Sequence, residues 1–476
     1  MTKTLLYGLS ALAVFSSCSK ELEEQSTALE IASLQTGLTT TATVSLPAPK
    51  DLTKVFIAFK DTSAYFWNPV TRLWVPEIAD YSTTGSIPFS ASQLAVPTPE
   101  ALRNRIGVDS GELVRTKGYY SDNDGGATDY HWSPNSREAD DGGSVLRPLT
   151  ITASKAGRWK ALFAGKRVSV KQFGAKADYN GSAGTPIRPF VDKAVAYAAG
   201  KMTIYFPSGK YYTTSEIKVS GVRNLVLEGQ PGATIYKARE GVFDGTECIF
   251  KVKDCEGARI SGFSLYGHTP GLQYIKDKWG NITPLINAGD GGIYVYDSRD
   301  VEIFRNNFYN FGDGAIRAAT LILVNGSVAT RRVNVHDNFF RNIFQLSTTY
   351  TTGSACADYT LQNNVFDSVK GSIKFASRTT GASNIVIRNN TVRNAFHIGF
   401  EFANVSNVQL IGNKLEAPDT CASTPVGVVV YPNIISSGTL VHGNMNHFTI
   451  RDGYFRGFRK GIRVKNEQVN GVMYNM

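Results

Sequence analysis

Apolar and polar residues alternate with a period of two in six similar segments that lie between residues 298 and 466. The segments are VEIFRNNFYN (301–310), VNVHDNFFRN (333–342), YTLQNNVFDS (359–368), IVIRNNTVRN (385–394), VQLIGNKLEA (408–417) and FTIRDGYFRG (448–457). Their alignment gives a first apolar column of Ile303, Val335, Leu361, Ile387, Leu410 and Ile450, and a second of Phe308, Phe340, Phe366, Val392, Leu415 and Phe455. The copies follow one another at irregular intervals, as expected of stacked turns that differ in their loops. The pattern predicts a β-solenoid.

An asparagine stands between the two apolar columns in five of the six copies. These residues are Asn306, Asn338, Asn364, Asn390 and Asn413, and Gly453 takes the place in the last copy. Asparagine tolerates the left-handed backbone of a sharp turn, and stacked amides can hydrogen-bond along the column. We therefore expect the asparagine column to satisfy buried polar groups and to be structural rather than catalytic.

Two helices and a small β-rich module are predicted ahead of these rungs. Thr98 and Pro99 are typical of an N-cap and a first helical position, and the helix is expected to end at Gly107. Residues 187–199 form an amphipathic pattern suited to covering the open end of a solenoid. Short aromatic segments from Lys54 onward predict the strands of the β-rich module.

The second half of the chain and the segment before it resemble known families over roughly residues 111–476. One group of motifs looks like the segment that leads into the β-helix of phage tailspikes and their bacterial relatives: Tyr119-Tyr120, Asp124-Gly125-Gly126, Tyr130-His131-Trp132, Gly157-Arg158-Trp159 and VKQFGA at 170–175. Residues 205–211 and the rungs after them resemble the pectate-lyase superfamily. The resemblance implies an all-β chain with a right-handed parallel β-helix. Because tailspikes are trimers, it also leaves open whether three chains assemble into a homotrimer.

The N-terminus has the features of a secretory signal. Lys3 precedes an apolar run from Leu5 to Phe15 that is too short to span a membrane as a helix. Residues 15–18, Phe-Ser-Ser-Cys, resemble a bacterial lipobox, which implies lipidation of Cys18. The acidic residues that follow resemble the export signal of surface lipoproteins in the Bacteroidota. These resemblances imply an outer-membrane lipoprotein that is exposed at the cell surface.

These observations divide the chain into five parts. They are a signal peptide (1–17), a flexible tether rich in Ser, Thr, Glu and Ala (18–48), the small β-rich module (49–110), the tailspike-like lead-in segment (111–165) and the parallel β-helix (166–476).

The net charge of the chain indicates which class of binding partner is expected. Lys and Arg number 50 against 40 Asp and Glu, a net charge of +10, which favours an acidic partner outside the cell. No basic run with interleaved aromatic residues indicates a nucleic-acid reader. No metal-ligand spacing is present, and residues 122–124 do not match a known calcium loop, so no cofactor is expected.

A further strand after each asparagine turn carries the candidate chemistry. Its outward position reads Tyr294, Arg317, Lys374, Glu401, Val429 and Arg463, and the loop position before it reads Asp290, Asp313, Lys370, His397, Pro425 and Arg459. Lyases of uronate polymers need a cation to neutralise the carboxylate and a base of lowered pKa to remove the neighbouring proton. We therefore predict catalytic roles for Lys374, Arg317, His397 and Glu401, and substrate contacts for Tyr294, Asp313, Lys370 and Arg463.

The resulting hypothesis is a surface polysaccharide lyase that acts by β-elimination on an acidic, uronate-containing glycan. A glycoside hydrolase would need two carboxylates about 5 to 9.5 Å apart, for which Asp290 and Asp313 are the nearest pair. A non-catalytic glycan-binding adhesin is the other alternative, in which Lys374 and Glu401 form a surface ion pair of little energetic value. Sequence motifs of polygalacturonases and of calcium-dependent pectate lyases are absent, so the resemblance supports the fold more strongly than an activity.

Overall fold

The protein is described from a computed structural model, which covers nine main stretches of the chain. Backbone and side chains are described for residues 94–238, 248–267, 291–311, 315–316, 330–343, 357–375, 382–418, 425–432 and 445–465. The backbone alone is described for 57–60, 63–68, 73–76, 274–276, 282–284, 312–314, 317–319, 344–345, 376, 433–436, 439–441 and 467–469.

The first three strands form a small antiparallel sheet in the order β1-β2-β3. They are β1 (Ile57–Lys60), β2 (Ser63–Asn68) and β3 (Leu73–Pro76). A second sheet has the order β4-β5-β6-β8-β7, with β4 (Leu94–Val96), β5 (Leu113–Thr116), β6 (Asp129–Ser133), β7 (Val145–Leu146) and β8 (Arg158–Leu162). Because β4 pairs with β5, this sheet runs across position 110, where the sequence suggested a boundary.

Helix α1 (Pro99–Arg103) lies between β4 and β5 and packs its Leu102 into the core of the second sheet. Thr98 is its N-cap, as predicted, and accepts a hydrogen bond from the backbone amide of Ala101. The predicted end at Gly107 is wrong, because Asn104 already caps the helix. Gly107 instead lies against Trp132, where no side chain would fit.

The remaining strands belong to the coil and its loops, and one further helix precedes most of them. In chain order they are β9 (Arg167–Ser169), α2 (Arg188–Ala198), β10 (Thr203–Phe206), β11 (Gly209–Thr213), β12 (Ile217–Ser220), β13 (Val226–Gly229), β14 (Ala233–Lys237), β15 (Cys248–Lys253), β16 (Arg259–Ser261), β17 (Ser264–Tyr266), β18 (Tyr274–Lys276), β19 (Ile282–Pro284), β20 (Gly291–Tyr296), β21 (Arg299–Phe304), β22 (Asn307–Gly314), β23 (Ile316–Ala319), β24 (Arg331–His336), β25 (Phe339–Gln345), β26 (Ala357–Gln362), β27 (Val365–Ala376), β28 (Ala382–Arg388), β29 (Thr391–Ala403), β30 (Val405–Ile411), β31 (Lys414–Glu416), β32 (Val426–Tyr431), β33 (Asn433–Ser436), β34 (Thr439–Val441), β35 (Phe448–Arg451), β36 (Tyr454–Arg456), β37 (Lys460–Val464) and β38 (Glu467–Val469). Two 3-10 helices, Ala164–Lys166 and Val170–Phe173, flank β9.

Most of these strands wind into a parallel β-helix with three faces, whereas β18-β19 and β34-β33-β38 form two small sheets of their own. The first face has the order β9-β10-β13-β16-β21-β24-β26-β28-β30-β35, and the second has the order β11-β14-β17-β22-β25-β27-β29-β31-β36. The third face begins with β12-β15-β20-β23 and continues in the second halves of β27 and β29, followed by β32 and β37. Consecutive coils pair in parallel along the first two faces and within each of the two parts of the third, as predicted for a solenoid.

Both predicted apolar columns are confirmed. Ile303 pairs with Val335 on the first face, and Phe308 pairs with Phe340 on the second. The register continues through every member of each column to Ile450 and Phe455. Inside the coil the Phe308 and Phe340 rings stack at 4.8 Å and are fully buried. Each such side chain stabilises the fold by about 1.5 to 3 kcal/mol through its burial.

The asparagine column is also confirmed as a buried hydrogen-bonded ladder. The side-chain amide of Asn338 donates to Asn364 Oδ1 at 3.0 Å and to the carbonyl of Ile303 at 2.9 Å. The same arrangement repeats from Asn306 to Asn413. The predicted left-handed backbone, however, belongs to the residue before each ladder asparagine, as at Asp337 (φ 55°) and Asn363 (φ 54°). The ladder residues themselves have no positive φ, and the backbone amide of Asn338 donates to Asn364 Oδ1 on the next coil.

Helix α2 covers the first coil, as the amphipathic pattern predicted. It packs against β9, β10 and β12, and it buries Val191, Ala194 and Ala198. Among the described residues, no helix is both long and apolar enough to cross a membrane.

Candidate functional site

The third face places the predicted outward positions in register along two separate runs of strands. Tyr294 on β20 pairs with Arg317 on β23. Further along the coil, Lys374 on β27 pairs with Glu401 on β29, and the column continues through Val429 to Arg463. Neighbouring members are therefore one strand spacing apart, about 4.8 Å. The alternation of the strands accounts for this, because every second residue of a strand points away from the core.

The outward column is more deeply buried than a surface ladder would be. Lys374 and Glu401 are 5% and 6% exposed, and Tyr294 is fully buried. Tyr294 packs with Cys248 and Tyr296 in a small cluster outside the main core. Lys374 Nζ lies 3.4 Å from Glu401 Oε1, so the expected ion pair exists. Its description as a surface pair is wrong, since both side chains are withdrawn from water.

A β-bulge brings two further predicted residues beside this ion pair. Val369 pairs with Ala395 and Gly371 with Ile398, so β29 has one residue more than β27 at this point. Lys370 and His397 directly precede the paired Gly371 and Ile398, and both are half-buried. We call Lys370, Lys374, His397 and Glu401 the basic cluster.

Two residues of the basic cluster, Lys370 and His397, have strongly lowered pKa values. Burial, followed by the positive charge of Lys374, lowers the pKa of Lys370 to about 8, although Glu401 acts in the opposite direction. Burial, followed by the charges of Lys370 and Lys465, lowers the pKa of His397 to about 4. At neutral pH, His397 is therefore an uncharged imidazole and Lys370 has an appreciable neutral fraction. Groups perturbed in this way are characteristic of sites that transfer protons.

Two residues of the site were missed by the sequence analysis. Tyr431, at the end of β32, is 1% exposed, and its hydroxyl has no hydrogen-bond partner among the described residues. Burial and the charge of Glu401 raise the pKa of Tyr431, which keeps the hydroxyl protonated. Lys465 Nζ lies 6.0 Å from the centre of the Tyr431 ring. Both residues lie two positions after members of the outward column, Val429 and Arg463, and the period of two could have identified them.

The other predicted residues are distributed as follows. Arg463 is half-buried, and its charge acts on both Tyr431 and Lys465. Arg317 and Asp313 lie on β23 and β22, but their side chains are outside the described ones. Asp290 is outside the described residues, so the carboxylate pair expected of a hydrolase is not tested. Within the described ranges, no group of three or more His, Cys, Asp or Glu side chains could hold a metal ion. Cys18 also lies outside the described residues.

The lead-in segment matches a known family. Residues 95–178 match the family described as "Phage tail protein small four-stranded beta-sheet domain", in agreement with the resemblance of this segment to tailspikes. The match covers the second sheet and the start of the coil. No curated protein matches the chain.

Solved structures share the fold. The Pantoea stewartii protein WceF, described as a glycan biofilm modifying enzyme with a bacteriophage tailspike-like parallel β-helix fold, matches with a TM-score of 0.52 and 13% identity over 85% of this chain and 51% of its own. The tailspike protein gp49 of Acinetobacter baumannii bacteriophage Fri1, a capsular polysaccharide depolymerase, matches with a TM-score of 0.46 and 15% identity over 79% of this chain and 71% of its own. The chain thus spans about half the length of the Pantoea protein. The likeness to the Pantoea protein shows the fold alone, a tailspike-like parallel β-helix.

Proposed function

We propose that the protein is a polysaccharide lyase that cleaves an acidic, uronate-containing glycan by β-elimination at the basic cluster. The observation that carries the proposal is the pKa of Lys370, which burial and Lys374 lower to about 8. A lysine in this state can accept a proton near neutral pH, whereas an ordinary lysine with a pKa of about 10.4 cannot. The Pantoea protein supports a glycan as the substrate class, since a glycan-modifying enzyme uses the same fold.

The proposed reaction assigns a role to each group. The neutral amine of Lys370 removes the proton from the carbon next to the uronate carboxylate. The electron pair of that bond forms a carbon-carbon double bond, and the bond to the glycosidic oxygen on the adjacent carbon breaks. Arg463 and Lys465 neutralise the substrate carboxylate, and the Tyr431 hydroxyl protonates the departing oxygen. His397, uncharged at neutral pH, is a hydrogen-bonding group of the substrate site rather than a cation.

These roles differ from the sequence-based hypothesis in several respects. His397 was expected to be catalytic and is here a binding group, and Arg317 is assigned no role. Lys374 was expected to be catalytic and Lys370 to bind substrate. Lys374 is paired with the buried Glu401 and lies close enough to Lys370 to lower its pKa. We therefore assign proton abstraction to Lys370, and to the Lys374–Glu401 pair the role of positioning charge next to the base.

The experiment is an assay for the unsaturated product. Purified protein is incubated with polygalacturonate, alginate, hyaluronan and chondroitin sulfate, and ultraviolet absorbance of the new double bond is recorded. Lys370→Met should lower the rate by at least about a hundredfold, the usual range for removing a general base. Lys414→Met is the matched control, because Lys414 is an exposed lysine on the second face of the same coils.

The pH profile provides an independent check. If Lys370 is the base, kcat/KM rises with pH and levels off above an apparent pKa of about 8. Release of reducing ends without ultraviolet absorbance would contradict the elimination mechanism and indicate hydrolysis. Full activity of Lys370→Met would show that the catalytic site lies outside the basic cluster.

A non-catalytic glycan-binding protein is the second candidate function. The burial of Lys374 and Glu401 favours it, because a withdrawn ion pair also suits a structural role. Binding of one of the four polymers without release of either product would support this candidate.

We further propose that the mature protein is tethered to the outer membrane through Cys18 and presented at the cell surface. The lipobox-like segment supports this proposal. Cys18→Ala should release the protein from the membrane fraction, and protease treatment of intact cells should degrade the wild type. Retention of Cys18→Ala in membranes would contradict lipid anchoring. A homotrimer is tested by light scattering of the soluble chain.

A further inference from the structure

A row of tyrosines follows the second face on the outside of the coil. Tyr212, Tyr236, Tyr266 and Tyr309 occupy successive coils in one register. Each directly follows a fully buried residue of the second face, such as Leu265 or Phe308, so alternation directs each tyrosine outward. We call these four residues the tyrosine stripe. A tyrosine after the inward residue in four consecutive coils is a signal that the sequence already contained.

The rings of the tyrosine stripe are stacked. The ring centres of Tyr236 and Tyr266 are 4.8 Å apart, and those of Tyr266 and Tyr309 are 4.6 Å apart. Tyr179, from the loop before α2, stacks on both Tyr212 and Tyr236 at 5.3 and 4.3 Å. The ring faces are thus used within the protein, and the outer edges with their hydroxyls remain for contact with a ligand.

Among the described residues, the fold makes no hydrogen bonds to the hydroxyls of the tyrosine stripe. The four side chains are half-buried, and none of their hydroxyls has a hydrogen-bond partner in the described part of the chain. The asparagine ladder offers a contrast, since its amides bond to one another from coil to coil. Burial raises the pKa of Tyr236 and Tyr266, so their hydroxyls stay protonated and can both donate and accept hydrogen bonds.

The geometry of this row selects a repeating ligand. One hydroxyl per coil, at intervals of about 4.8 Å, presents a periodic series of hydrogen-bonding groups along the coil axis. An extended chain of pyranose units presents hydroxyls at a comparable interval. In the same register beyond Tyr309, the column continues with the exposed cations Arg341 and Arg393 on either side of Asp367. Arginine pairs well with carboxylate or sulfate groups.

A cleft at the start of the coil reaches the residue that precedes Tyr179, which stacks on the tyrosine stripe. This cleft has a volume of about 270 Å³ and is lined by residues 119–121, Asp124, Lys171 and residues 175–178. It therefore ends at Asp178, the neighbour of the stacked Tyr179. Lys176 Nζ lies 4.2 Å from the centre of the Tyr120 ring in this cleft. A ligand that follows the stripe could extend to a polar, aromatic-lined recess of the size of a sugar unit.

We propose that the tyrosine stripe, with Arg341 and Arg393, is a second glycan-binding surface that holds an extended acidic polysaccharide along the coil axis. The surface lies on the second face, whereas the basic cluster lies on the third. The proposal takes its class of ligand from the proposed function but does not require cleavage. It gives the protein a means of retaining a long polymer between catalytic events.

Affinity electrophoresis through gels that contain polygalacturonate, alginate, hyaluronan or chondroitin sulfate tests the proposal. The protein carries Lys370→Met, so that binding is measured without cleavage. At least one polymer should retard it. Tyr266→Phe/Tyr309→Phe, which keeps the stacked rings and loses two hydroxyls, should raise the dissociation constant about tenfold. Tyr266→Ala/Tyr309→Ala should weaken binding at least as much.

Tyr205→Ala is the matched control, because Tyr205 is a half-buried tyrosine on the first face of the same coil region, and it should bind like the parent. Failure of all four polymers to retard the protein would overturn the inference, as would parental binding by the double Phe variant. Equal loss of binding in Tyr205→Ala would overturn it too. Binding through the stripe by a protein whose native form releases no unsaturated product would refute the lyase and leave the stripe standing.

Discussion

Lys374 and Glu401 face each other on neighbouring strands of the third face, with Lys374 Nζ 3.4 Å from Glu401 Oε1 and both side chains more than nine-tenths buried. Burial changes the energetics of this pair compared with those of an ion pair in solvent. The attraction is stronger in a low dielectric, but the cost of removing either charge from water is also larger. The pair is therefore sensitive to the loss of one partner.

We expect Lys374→Met to destabilise the protein by about 3 to 5 kcal/mol, because the Glu401 carboxylate stays buried without its Lys374 partner. The double variant Lys374→Met/Glu401→Leu should regain most of this loss, since both charges are then absent. Urea unfolding of the two variants and the wild type measures the difference. A double variant as unstable as the single one would show that the unpaired carboxylate of Glu401 is not the cause of the destabilisation.

His397 should make the protein sensitive to acid. Its pKa is about 4 in the folded protein and about 6.5 in an unfolded chain, so the unfolded state binds the proton first as the pH falls. The stability associated with the neutral imidazole is present above pH 6.5 and is lost progressively toward pH 4. His397→Asn should therefore lose less stability between pH 7 and pH 4.5 than the wild type.

The exposed His447 supplies the control for this comparison. His447→Asn is measured beside His397→Asn as the same substitution at an exposed position. Lys370 and Lys465 are the charged groups that disfavour protonated His397, so Lys465→Met should also reduce the acid sensitivity. Thermal unfolding at both pH values measures each variant, and equal pH dependence in His397→Asn and the wild type would contradict the assignment.

Asn364 should be critical to the asparagine ladder. It is fully buried, its amide donates to Asn390 and to the carbonyl of Val335, and its Oδ1 accepts from Asn338. Asn364→Ala leaves these groups unsatisfied at a cost of about 1 to 3 kcal/mol for each. Gln409→Ala, an exposed position on the first face, should change stability by less than about 0.5 kcal/mol. Equal midpoints of chemical unfolding for the two variants would refute the role of the ladder.

Arg305 offers a stabilising substitution. It has a φ of 54°, and the equivalent residues of later coils are Asp337, Asn363, Asn389 and Gly412, all of which accept this conformation more readily. Arg305→Asn should stabilise the protein by about 1 kcal/mol, because a left-handed arginine is strained. Arg341→Asn, at an exposed position without a positive φ, should bring no such gain. A lower melting temperature for Arg305→Asn would mean that the arginine side chain contributes more than the backbone strain costs.

Much of the fold could be predicted because each coil repeats the same local information. A residue such as Ile303 or Phe308 must point inward, and the period of two leaves only one register that buries a whole column. Asn306 and its counterparts then fall at one corner of the coil and bond to each other. The register of Lys374, Glu401, Val429 and Arg463 followed from the same rule, since it depends only on counting along strands.

Tertiary structure alone decided which outward positions meet water and which charges act on each other. Alternation assigned Lys374 to the outside of the coil, but its burial depends on packing beyond its own strand. The lowered pKa of Lys370 depends on burial by the folded coils as well as on the nearby Lys374. The Tyr431 hydroxyl is likewise buried by the fold and has no hydrogen-bond partner among the described residues. Periodicity fixes the direction of a side chain, because direction is local. The solvent exposure and the pKa of a side chain depend on all the groups around it, and these groups come together only when the coil folds.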